Sequence, residues 1–225
     1  MSSGVRAAIV EGWPLLLSVL VVGVPFGIVA RGAGLDPLQV SATSLLIFAG
    51  AAQFAAVDLI AKGAAPPLVV LVALLINLRH LLMAAALRPL FGRRPLAARL
   101  GLAYLLTDES FAMAIGHLRR GGRDVTYYAA FGALLWACWN AATIAGALVG
   151  SDIVEPRRLG LDFAITAAFV AIVALGVRGR SEATVALLAS LVAAALGLAG
   201  ASVVAVLTAG ALAPLATFAL PRDAP

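Results

Sequence analysis

Apolar runs separated by charges, prolines and glycines form the main pattern of the chain, and they divide it into about eight segments. The segments are residues 13–30, 38–60, 66–91, 100–118, 125–150, 163–177, 183–199 and 203–220. Most of them are long enough to cross a hydrocarbon core of roughly 30 Å as α-helices. Asp36-Pro37 and Pro66-Pro67 are typical of helix starts, and Asp124 is a candidate helix cap. The pattern therefore predicts an all-α polytopic bundle with six to eight transmembrane segments.

The composition is that of a membrane protein. Of the 225 residues, 63% are hydrophobic and 12% are charged, and the mean hydropathy is +1.05, which excludes an ordinary water-soluble domain. The 16 Lys and Arg against 11 Asp and Glu suit loops beside an anionic lipid surface, and no basic and aromatic pattern indicates nucleic acid. Arg6 precedes an apolar run without a small-residue cleavage site, so we expect a retained span and not a signal peptide. Cys138 is the single cysteine, which excludes an internal disulfide.

The basic loops on both sides of the fourth segment conflict with a simple alternation of spans. One cluster precedes this segment and one follows it; they comprise Arg88, Arg93, Arg94 and Arg99, and Arg119, Arg120 and Arg123. Because Lys and Arg are concentrated in cytoplasmic loops, a full span between the clusters would place one of them outside. We therefore predict that the fourth segment is re-entrant or broken, so that both clusters lie inside with Arg178 and Arg180. The second segment, which contains Gly50 and Gln53, is a further candidate for an interruption.

Two Gly-x-x-x-Gly motifs, Gly23 to Gly27 and Gly146 to Gly150, favour close helix packing in lipid. Each motif follows a tryptophan by ten residues, Trp13 in the first case and Trp136 in the second. The matching positions indicate a weak internal repeat, which many transporters have. Pro25, within the first motif, either opens backbone carbonyls toward a cavity or produces a simple kink.

Few polar side chains interrupt the apolar segments. They are Gln53, Asp58, Asn77, Arg79, His80, Thr107, Asp108, Glu109, Trp136 and Asn140. Arg79, near the middle of the third segment, costs about 2.5–3.5 kcal/mol at the bilayer centre on insertion scales, so it needs a partner or water. Asn77 and His80 share a helix face and Arg79 points away from it, so the trio reaches two neighbours at once.

Asp108 and Glu109 are candidate partners for Arg79, because two adjacent carboxylates cannot both face lipid cheaply. The charges either form an ion pair that only fixes helix packing, or they bind a solute's carboxylate and ammonium or a coupling proton. His80 is either a proton relay or a satisfied hydrogen-bond partner.

Two other ionisable side chains lie near segment ends. Asp58 precedes Lys62 by four residues, so a surface ion pair explains it as well as a functional role does. His117 lies beside Arg119, and we interpret it as an interfacial residue.

Enzyme motifs are absent from the sequence. It contains no His/Cys cluster at metal-ligand spacing, no Gly-x-Ser-x-Gly elbow, no H-E-x-x-H motif and no P-loop. His80 and Asp108 have no evident serine or cysteine nucleophile beside them. We therefore predict no enzyme, no metal and no cofactor, and expect a secondary transporter, a channel or a membrane subunit of a larger assembly.

Four motifs, in the same order, resemble the AzlC family, the large subunits of bacterial branched-chain amino acid exporters. They are Val24-Pro25-Phe26-Gly27-Ile28, the stretch SLLIFAGAAQF from Ser44 to Phe54, Asn77-Leu78-Arg79-His80, and Thr107-Asp108-Glu109-Ser110-Phe111-Ala112. They cover roughly the first half of the chain, and the second half resembles the family in hydropathy and length. Met83-Ala84 departs from the family pattern, in which a Tyr-Gly or similar pair is common, so a hydroxyl contact there is not expected.

The resemblance implies a multi-pass exporter of leucine, isoleucine, valine and, as a further candidate, methionine, in a bacterial inner membrane. It implies a single transporter domain over residues 1–225 and a partner subunit, a small AzlD-like membrane protein of roughly four spans. Proton coupling through Asp108 or Glu109 is expected. The residues implied to bind substrate or couple protons are Pro25, Phe26, Gly27, Gly50, Gln53, Asn77, Arg79, His80, Thr107, Asp108 and Glu109. Export of another small solute and a non-transporting scaffold subunit are the alternative interpretations.

Overall fold

The computed structural model describes residues 3–92, 94–150, 177 and 179–198, and the chain divides into two compact units, residues 1–165 and 166–225. The helices of the first unit are α1 (Ser3–Gly32), α2 (Pro37–Leu46), α3 (Gly50–Ala61), α4 (Pro66–Asn77), α5 (Arg79–Ala86), α6 (Arg88–Phe91), α7 (Leu96–Tyr104), α8 (Asp108–Arg119) and α9 (Val125–Gly150); the second contains α10 (Arg180–Leu198). Every regular element in this part of the chain is helical, which confirms the all-α prediction. The predicted segment 203–220, and 163–177 except its last residue, lie outside the described residues. A single transporter domain over residues 1–225 stays a prediction.

Three helices in the described ranges are long and apolar enough to cross a membrane. They are α1 over Gly4–Gly32, the α4–α5 pair over Pro66–Ala86, and α9 over Val125–Gly150. The α4–α5 pair is interrupted at Leu78 alone. It ends at Ala86, before the predicted end of the third segment, because Pro89 has no N–H to continue the helical ladder.

The predicted helix starts at Asp36-Pro37 and Pro66-Pro67 are confirmed. α2 begins at Pro37 behind a capping box. The Gln39 N–H donates to Asp36 Oδ1 at 2.8 Å, and the Asp36 N–H donates to Gln39 Oε1 at 2.9 Å. This reciprocal pair satisfies N–H groups that a helix start leaves without backbone partners. α4 begins at Pro66 itself.

α1 and α9 run parallel and pack together along their length. Near their starts, a Cβ atom on Gly4 would overlap the Asp124 carboxylate. Near their ends, a Cβ atom on Gly150 would lie 3.1 Å from the Cα atom of Ile28. Contacts between the two starts and between the two ends require a parallel arrangement, and this pair forms the framework of the first unit.

The two glycine motifs meet in the middle of the α1–α9 contact. A Cβ atom on Gly27 would overlap the carbonyl oxygen of Thr143, and one on Gly146 would overlap that of Val24. The backbones therefore approach as closely as glycine alone permits, which confirms the packing interpretation of these motifs. α1 continues through Pro25, so this proline lies inside a helix. The internal-repeat interpretation of the two motifs stays a prediction.

α2 and α3 form a re-entrant hairpin, which we call the first hairpin (residues 37–61). Gln53 Nε2 donates to Ser44 Oγ at 3.0 Å, whereas nine residues of straight helix would separate the two positions by about 13 Å. The chain turns back over three residues, Ile47, Phe48 and Ala49. The predicted interruption of the second apolar segment is therefore confirmed.

α7 and α8 form a second hairpin (residues 96–119). Leu102 of α7 and Leu118 of α8 pack against the same buried cluster around Tyr128, although sixteen residues of straight helix would span about 24 Å. The turn again has three residues, Leu105, Leu106 and Thr107. The fourth segment is broken, as the basic loops on either side of it predict.

The two hairpins enter the bundle from opposite ends. The first follows the end of α1 after a short link, residues 33–36. The second has its outer end at the start of α1, where Arg120 forms an ion pair with Glu11. Both basic clusters therefore emerge at one end of the bundle, which we assign to the cytoplasmic side. Arg93 and Arg178 lie outside the described residues, and Arg180 belongs to the second unit.

Candidate functional site

The tips of the two hairpins meet inside the first unit through Tyr104. Its hydroxyl donates a hydrogen bond to the carbonyl of Leu45, near the end of α2. Trp136 Nε1 of α9 donates to the same hydroxyl at 2.8 Å, and the rings of Tyr104 and Phe48 lie 6.0 Å apart. Carbonyls in the last turn of a helix lack a partner within the helix, so the break in the first hairpin supplies the acceptor that the second hairpin uses.

Phe48 gives the first tip a strained backbone. Its φ angle is +40° and its side chain is buried. A bulky residue in the left-handed region costs on the order of 1–3 kcal/mol and persists only where its surroundings hold it in place. Nothing in the sequence signals this conformation, because glycine is the residue that normally adopts it.

The half-helices that start at the two tips are capped differently. Thr107 caps α8 in a capping box with Ser110, and Asp108 and Glu109 occupy its first turn, where the helix dipole favours carboxylates. No side chain caps the start of α3 at Gly50. The first N–H groups of α3 therefore face the tip without a side-chain acceptor, which is the backbone arrangement that binds carboxylates and phosphates.

Arg79 and Asp108 form an ion pair at the tip of the second hairpin. Arg79 Nη2 lies 2.8 Å from Asp108 Oδ2, and the two side chains are 36% and 45% exposed within the described residues. The expected partnership between Arg79 and an acidic residue of the fourth segment is present, and Asp108 provides it. Glu109 is the next residue of α8 and is half-buried.

The residues around Arg79 hold further hydrogen-bonding groups. Asn77 Oδ1, Arg79 Nε and His80 Nε2 are buried and have no hydrogen-bond partner among the described residues. All three flank Leu78, where α4 gives way to α5. Buried polar atoms are nearly always paired, so one acceptor and two ring or guanidinium nitrogens remain for a ligand or a coupling proton.

Gln53, which the family resemblance implies for substrate binding or proton coupling, lies in the contact between the first hairpin and α9. It is fully buried and joins the first hairpin to α9: Trp139 Nε1 donates to Gln53 Oε1 at 3.0 Å, and Gln53 Nε2 donates to Ser44 Oγ at 3.0 Å. Ser44 Oγ in turn donates to Thr143 Oγ1 at 3.0 Å. Both the oxygen and the nitrogen of this amide form hydrogen bonds with protein groups. Gln53 therefore positions the first hairpin.

The first motif, with Pro25, Phe26 and Gly27, also packs behind the first tip. The Phe26 ring stacks on Trp139 at 5.6 Å and meets Phe54 edge-on at 5.1 Å. Gly27 lies against the α9 backbone. These residues hold the first hairpin between α1 and α9. Within the described part of the chain, these ring and backbone contacts do not involve Arg79 or Asp108. Gly50 lies at the tip, with its would-be Cβ 3.5 Å from the Trp139 ring.

Tyr104 and Asn140 are missing from the residues that the sequence proposes for the site. Asn140 Nδ2 donates to the Trp136 carbonyl at 2.9 Å, and its buried Oδ1 has no partner among the described residues. Residues 136, 140 and 143 share one face of α9. Trp136 contacts the second hairpin through Tyr104, and Thr143 contacts the first hairpin through Ser44 near the end of α2. Asn140 therefore faces the end of α2. The signal in the sequence is a polar residue in the middle of an apolar run.

Two other predicted ionisable residues lie away from the tips. Asp58 Oδ2 pairs with Lys62 Nζ at 2.7 Å, the alternative that the four-residue spacing indicates. The His117 ring stacks on Tyr127 at 4.1 Å near the outer end of α8. In the part of the chain that the structure describes, no three His, Cys, Asp or Glu side chains group together as metal ligands.

The described residues define a multi-span membrane protein in which two re-entrant hairpins hold charged and polar groups between apolar helices. The chain belongs to the AzlC family. The family model, described as AzlC protein, matches residues 14–153, which contain both hairpins. The family membership that the motifs predict is confirmed.

Related proteins occur in archaea and bacteria. The chain is 29% identical to an uncharacterized membrane protein of Archaeoglobus fulgidus, over 78% of this chain and 77% of that protein. It is 30% identical to the inner membrane protein YgaZ of Escherichia coli, over 64% and 60% of the two chains. It is 27% identical to the branched-chain amino acid transport protein AzlC of Bacillus subtilis, over 74% and 65%. No solved structure matches the chain. The predicted membrane location and membership of a transport-associated family are confirmed.

Proposed function

We propose that this protein is a proton-coupled secondary exporter of branched-chain amino acids that works with a small AzlD-like membrane subunit. The Arg79–Asp108 ion pair at the tip of the second hairpin carries this proposal. An ionisable pair at membrane depth is costly, and in membrane proteins such groups mark solute and proton pathways. The transport of branched-chain amino acids that names the Bacillus subtilis relative supports the substrate class.

The charges at the tips suit the two ends of a zwitterion. Arg79 offers a guanidinium for the substrate carboxylate, and the uncapped start of α3 at Gly50 offers backbone N–H groups for the same group. Asp108 and Glu109 offer carboxylates for the ammonium. Discontinuous helices that direct their ends at a substrate near the membrane midplane are a recurring device in secondary transporters.

The apolar side chains near the tips suit a branched side chain. Phe48 and Leu106 are buried at the two turns, and Leu45 precedes the first turn. An apolar pocket discriminates by only about 1–3 kcal/mol per methylene. We therefore expect leucine, isoleucine and valine to share the pathway, with methionine as a further substrate.

Proton coupling follows from the same ion pair. Protonation of Asp108 would remove its attraction for Arg79, and the guanidinium would then be free for a substrate carboxylate. Glu109, in the same turn of α8, is the second candidate carrier. An Asp108→Asn, Glu109→Gln double variant should therefore lose proton-driven efflux, and unchanged efflux in that variant would remove the coupling proposal.

The experiment that tests the export proposal is efflux from cells loaded with a leucine- or valine-containing dipeptide. The cells express the chain alone, the chain with its small partner, or the Arg79→Ala variant with the partner. We expect faster amino-acid efflux that needs the partner and disappears in the variant. If efflux with both subunits present in the membrane never exceeds the empty control, the branched-chain assignment is wrong, and a panel of other small solutes becomes the next test.

The ion pair itself favours one alternative, a scaffold subunit in which Arg79 and Asp108 only hold helices together. An Arg79→Lys variant separates the two functions, because lysine keeps the charge and loses the two-pronged geometry of the guanidinium. On the transport proposal, efflux falls while abundance and melting temperature stay near those of the wild type. A lower abundance and melting temperature, with no efflux to lose, would support the scaffold.

A further inference from the structure

A cavity of about 790 Å³ opens between α5, α6 and α7 at the basic end of the bundle, and we call it the arginine cavity. Among the described residues, three arginines line it, Arg88, Arg94 and Arg99. Its remaining wall is mostly apolar and includes Phe91, Leu96 and Leu100. The cavity thus combines concentrated positive charge with an apolar surface.

The positive charge of the arginine cavity is not neutralised within the described residues. The ion pairs among the described residues are Lys62–Asp58, Arg79–Asp108 and Arg120–Glu11. None of them involves an arginine that lines the cavity. Arg94 Nη1 donates to the Phe91 carbonyl at 3.2 Å, which fixes one guanidinium at the end of α6. Arg88, Arg94 and Arg99 are exposed, and three such cations without a carboxylate among the described residues suit an anion with more than one oxygen.

The position of the cavity selects the kind of anion. It lies where α6 meets the buried cluster around Tyr128, near the start of α9 and at the end of the bundle that carries both basic loops. This is the depth at which phospholipid headgroups contact a spanning protein. Leu96 and Leu100, 67% and 61% exposed, extend from the charged groups along α7 as a surface suited to an acyl chain.

We propose that the arginine cavity binds the phosphate group of an anionic membrane phospholipid, with an acyl chain along Leu96 and Leu100. Guanidinium groups match phosphate oxygens in pairs, and basic pockets on the cytoplasmic side of membrane proteins recognise such headgroups. A lipid bound there joins α7 to α5 and α6, and so fastens the outer end of the second hairpin. The proposal does not depend on which solute is exported.

The test uses the full chain purified in a neutral detergent, with thermal unfolding followed during titration. The probes are phosphatidylglycerol, phosphatidylcholine, which has the same phosphate but no net charge, and inorganic phosphate. The variant is Arg88→Gln, Arg99→Gln. The matched control is Arg119→Gln, Arg123→Gln, which removes the same charge from exposed positions of the other basic loop.

We expect phosphatidylglycerol to raise the melting temperature saturably, at concentrations at least fivefold lower than phosphatidylcholine requires. The cavity variant should need at least fivefold more phosphatidylglycerol, and the control should stay within twofold of the wild type. If the double variant misfolds, the Arg99→Gln single variant replaces it, and this variant should need an intermediate concentration of phosphatidylglycerol. Equal losses in the two double variants would show attraction by net charge alone and overturn the proposal. A full effect of inorganic phosphate would identify a free anion as the ligand and overturn the lipid assignment.

Discussion

The hydroxyl of Tyr104, the last residue of α7, donates a hydrogen bond to the carbonyl of Leu45, one residue before the end of α2. This bond joins two hairpins that enter the bundle from opposite ends. Movement of either tip along its own axis must break it. Because Trp136 donates to the same hydroxyl at 2.8 Å, α9 holds the bridging group in place. We expect transport between the tips to depend on this bond.

A Tyr104→Phe variant should therefore lose efflux while it keeps its fold. The ring and its contact with Phe48 remain. The hydrogen bonds of the hydroxyl with Leu45 and Trp136 are both lost, and each costs about 0.5–1.5 kcal/mol of stability. Efflux and thermal unfolding are measured on the same preparations. Tyr128→Phe is the control, because it removes a hydrogen bond from α9 to the Leu102 carbonyl, 2.8 Å long, which does not join the two hairpins. Wild-type efflux in Tyr104→Phe, or an equal loss in Tyr128→Phe, would contradict the role of the bridge.

The two basic loops should be accessible from the same side of the membrane. Arg94→Cys and Arg123→Cys, each in a Cys138→Ala background, place single thiols beyond the two ends of the second hairpin. A membrane-impermeant maleimide should label both in inside-out vesicles and neither in intact cells, because both loops lie at the basic end. Lys62→Cys, at the outer end of the first hairpin, should show the reverse pattern. Labelling of Arg94→Cys and Arg123→Cys from opposite sides would exclude the hairpin.

Much of the framework follows from local sequence patterns. The glycine motifs predict the α1–α9 contact because glycine spacing reports backbone approach directly. The break in the fourth segment follows from charge. Basic loops favour the cytoplasmic side, so an unbroken span that placed Arg94 and Arg123 on opposite sides of the membrane would be unfavourable. The pairing of Arg79 with Asp108 follows from the expense of unpaired charge in lipid. Each of these effects acts through neighbouring residues or through the membrane itself.

The contacts between the tips could not be predicted in the same way. The bond from Tyr104 to Leu45 depends on how two hairpins dock, and a tyrosine in an apolar segment carries no sign of its partner. Phe48 adopts a positive φ angle that its side chain disfavours. The hydrogen bonds of Gln53 with Trp139 and Ser44 depend on how the first hairpin packs against α9. Tertiary contacts determine all three roles.

Gln53 should be necessary for stability. Gln53→Leu has a similar volume, leaves Trp139 Nε1 without its acceptor, and removes one of the two hydrogen bonds of Ser44 Oγ, which keeps its bond to Thr143. A buried unsatisfied group costs about 1–3 kcal/mol. The melting temperature in detergent should fall clearly. Gln39→Leu is the matched control, because its amide serves an exposed capping box and its loss should have a smaller effect. If Gln53→Leu melts like the wild type, the buried chain of hydrogen bonds does not fasten the first hairpin.

Asp124, just before α9, should contribute stability that depends on pH. The hydrogen bonds from the Thr126 hydroxyl and N–H hold the pKa of its carboxyl below the usual value of about 3.9. Because the folded-state pKa is lowered, the stabilisation is present above the unfolded pKa and is lost as pH falls through the folded pKa. The melting-temperature gap between wild type and Asp124→Asn should therefore shrink between pH 5 and pH 3. Thr126→Val should weaken the same dependence, and a gap that widens on acidification would contradict the assignment.

The contact between Gly146 and the Val24 carbonyl should be intolerant of a single methyl group. In Gly146→Ala the new Cβ atom would overlap that oxygen, and since both partners are helical backbone, α1 and α9 must move apart. Overpacking of this kind typically costs about 1–3 kcal/mol, and the shift should also displace Trp139 and Thr143 from the first hairpin. We therefore expect a lower melting temperature together with reduced efflux.

Gly101→Ala is the matched control for that substitution. Gly101 lies inside α7, and a Cβ atom there would have no heavy atom within 4 Å among the described contacts. Alanine should gain up to about 1 kcal/mol in a helix interior, so this variant should melt at or above the wild-type temperature. Because the two substitutions add the same group, a difference between them measures the α1–α9 approach and not helix propensity. Equal melting temperatures would mean that the two helices can separate without cost, and the parallel pair would not be the framework on which both hairpins are held.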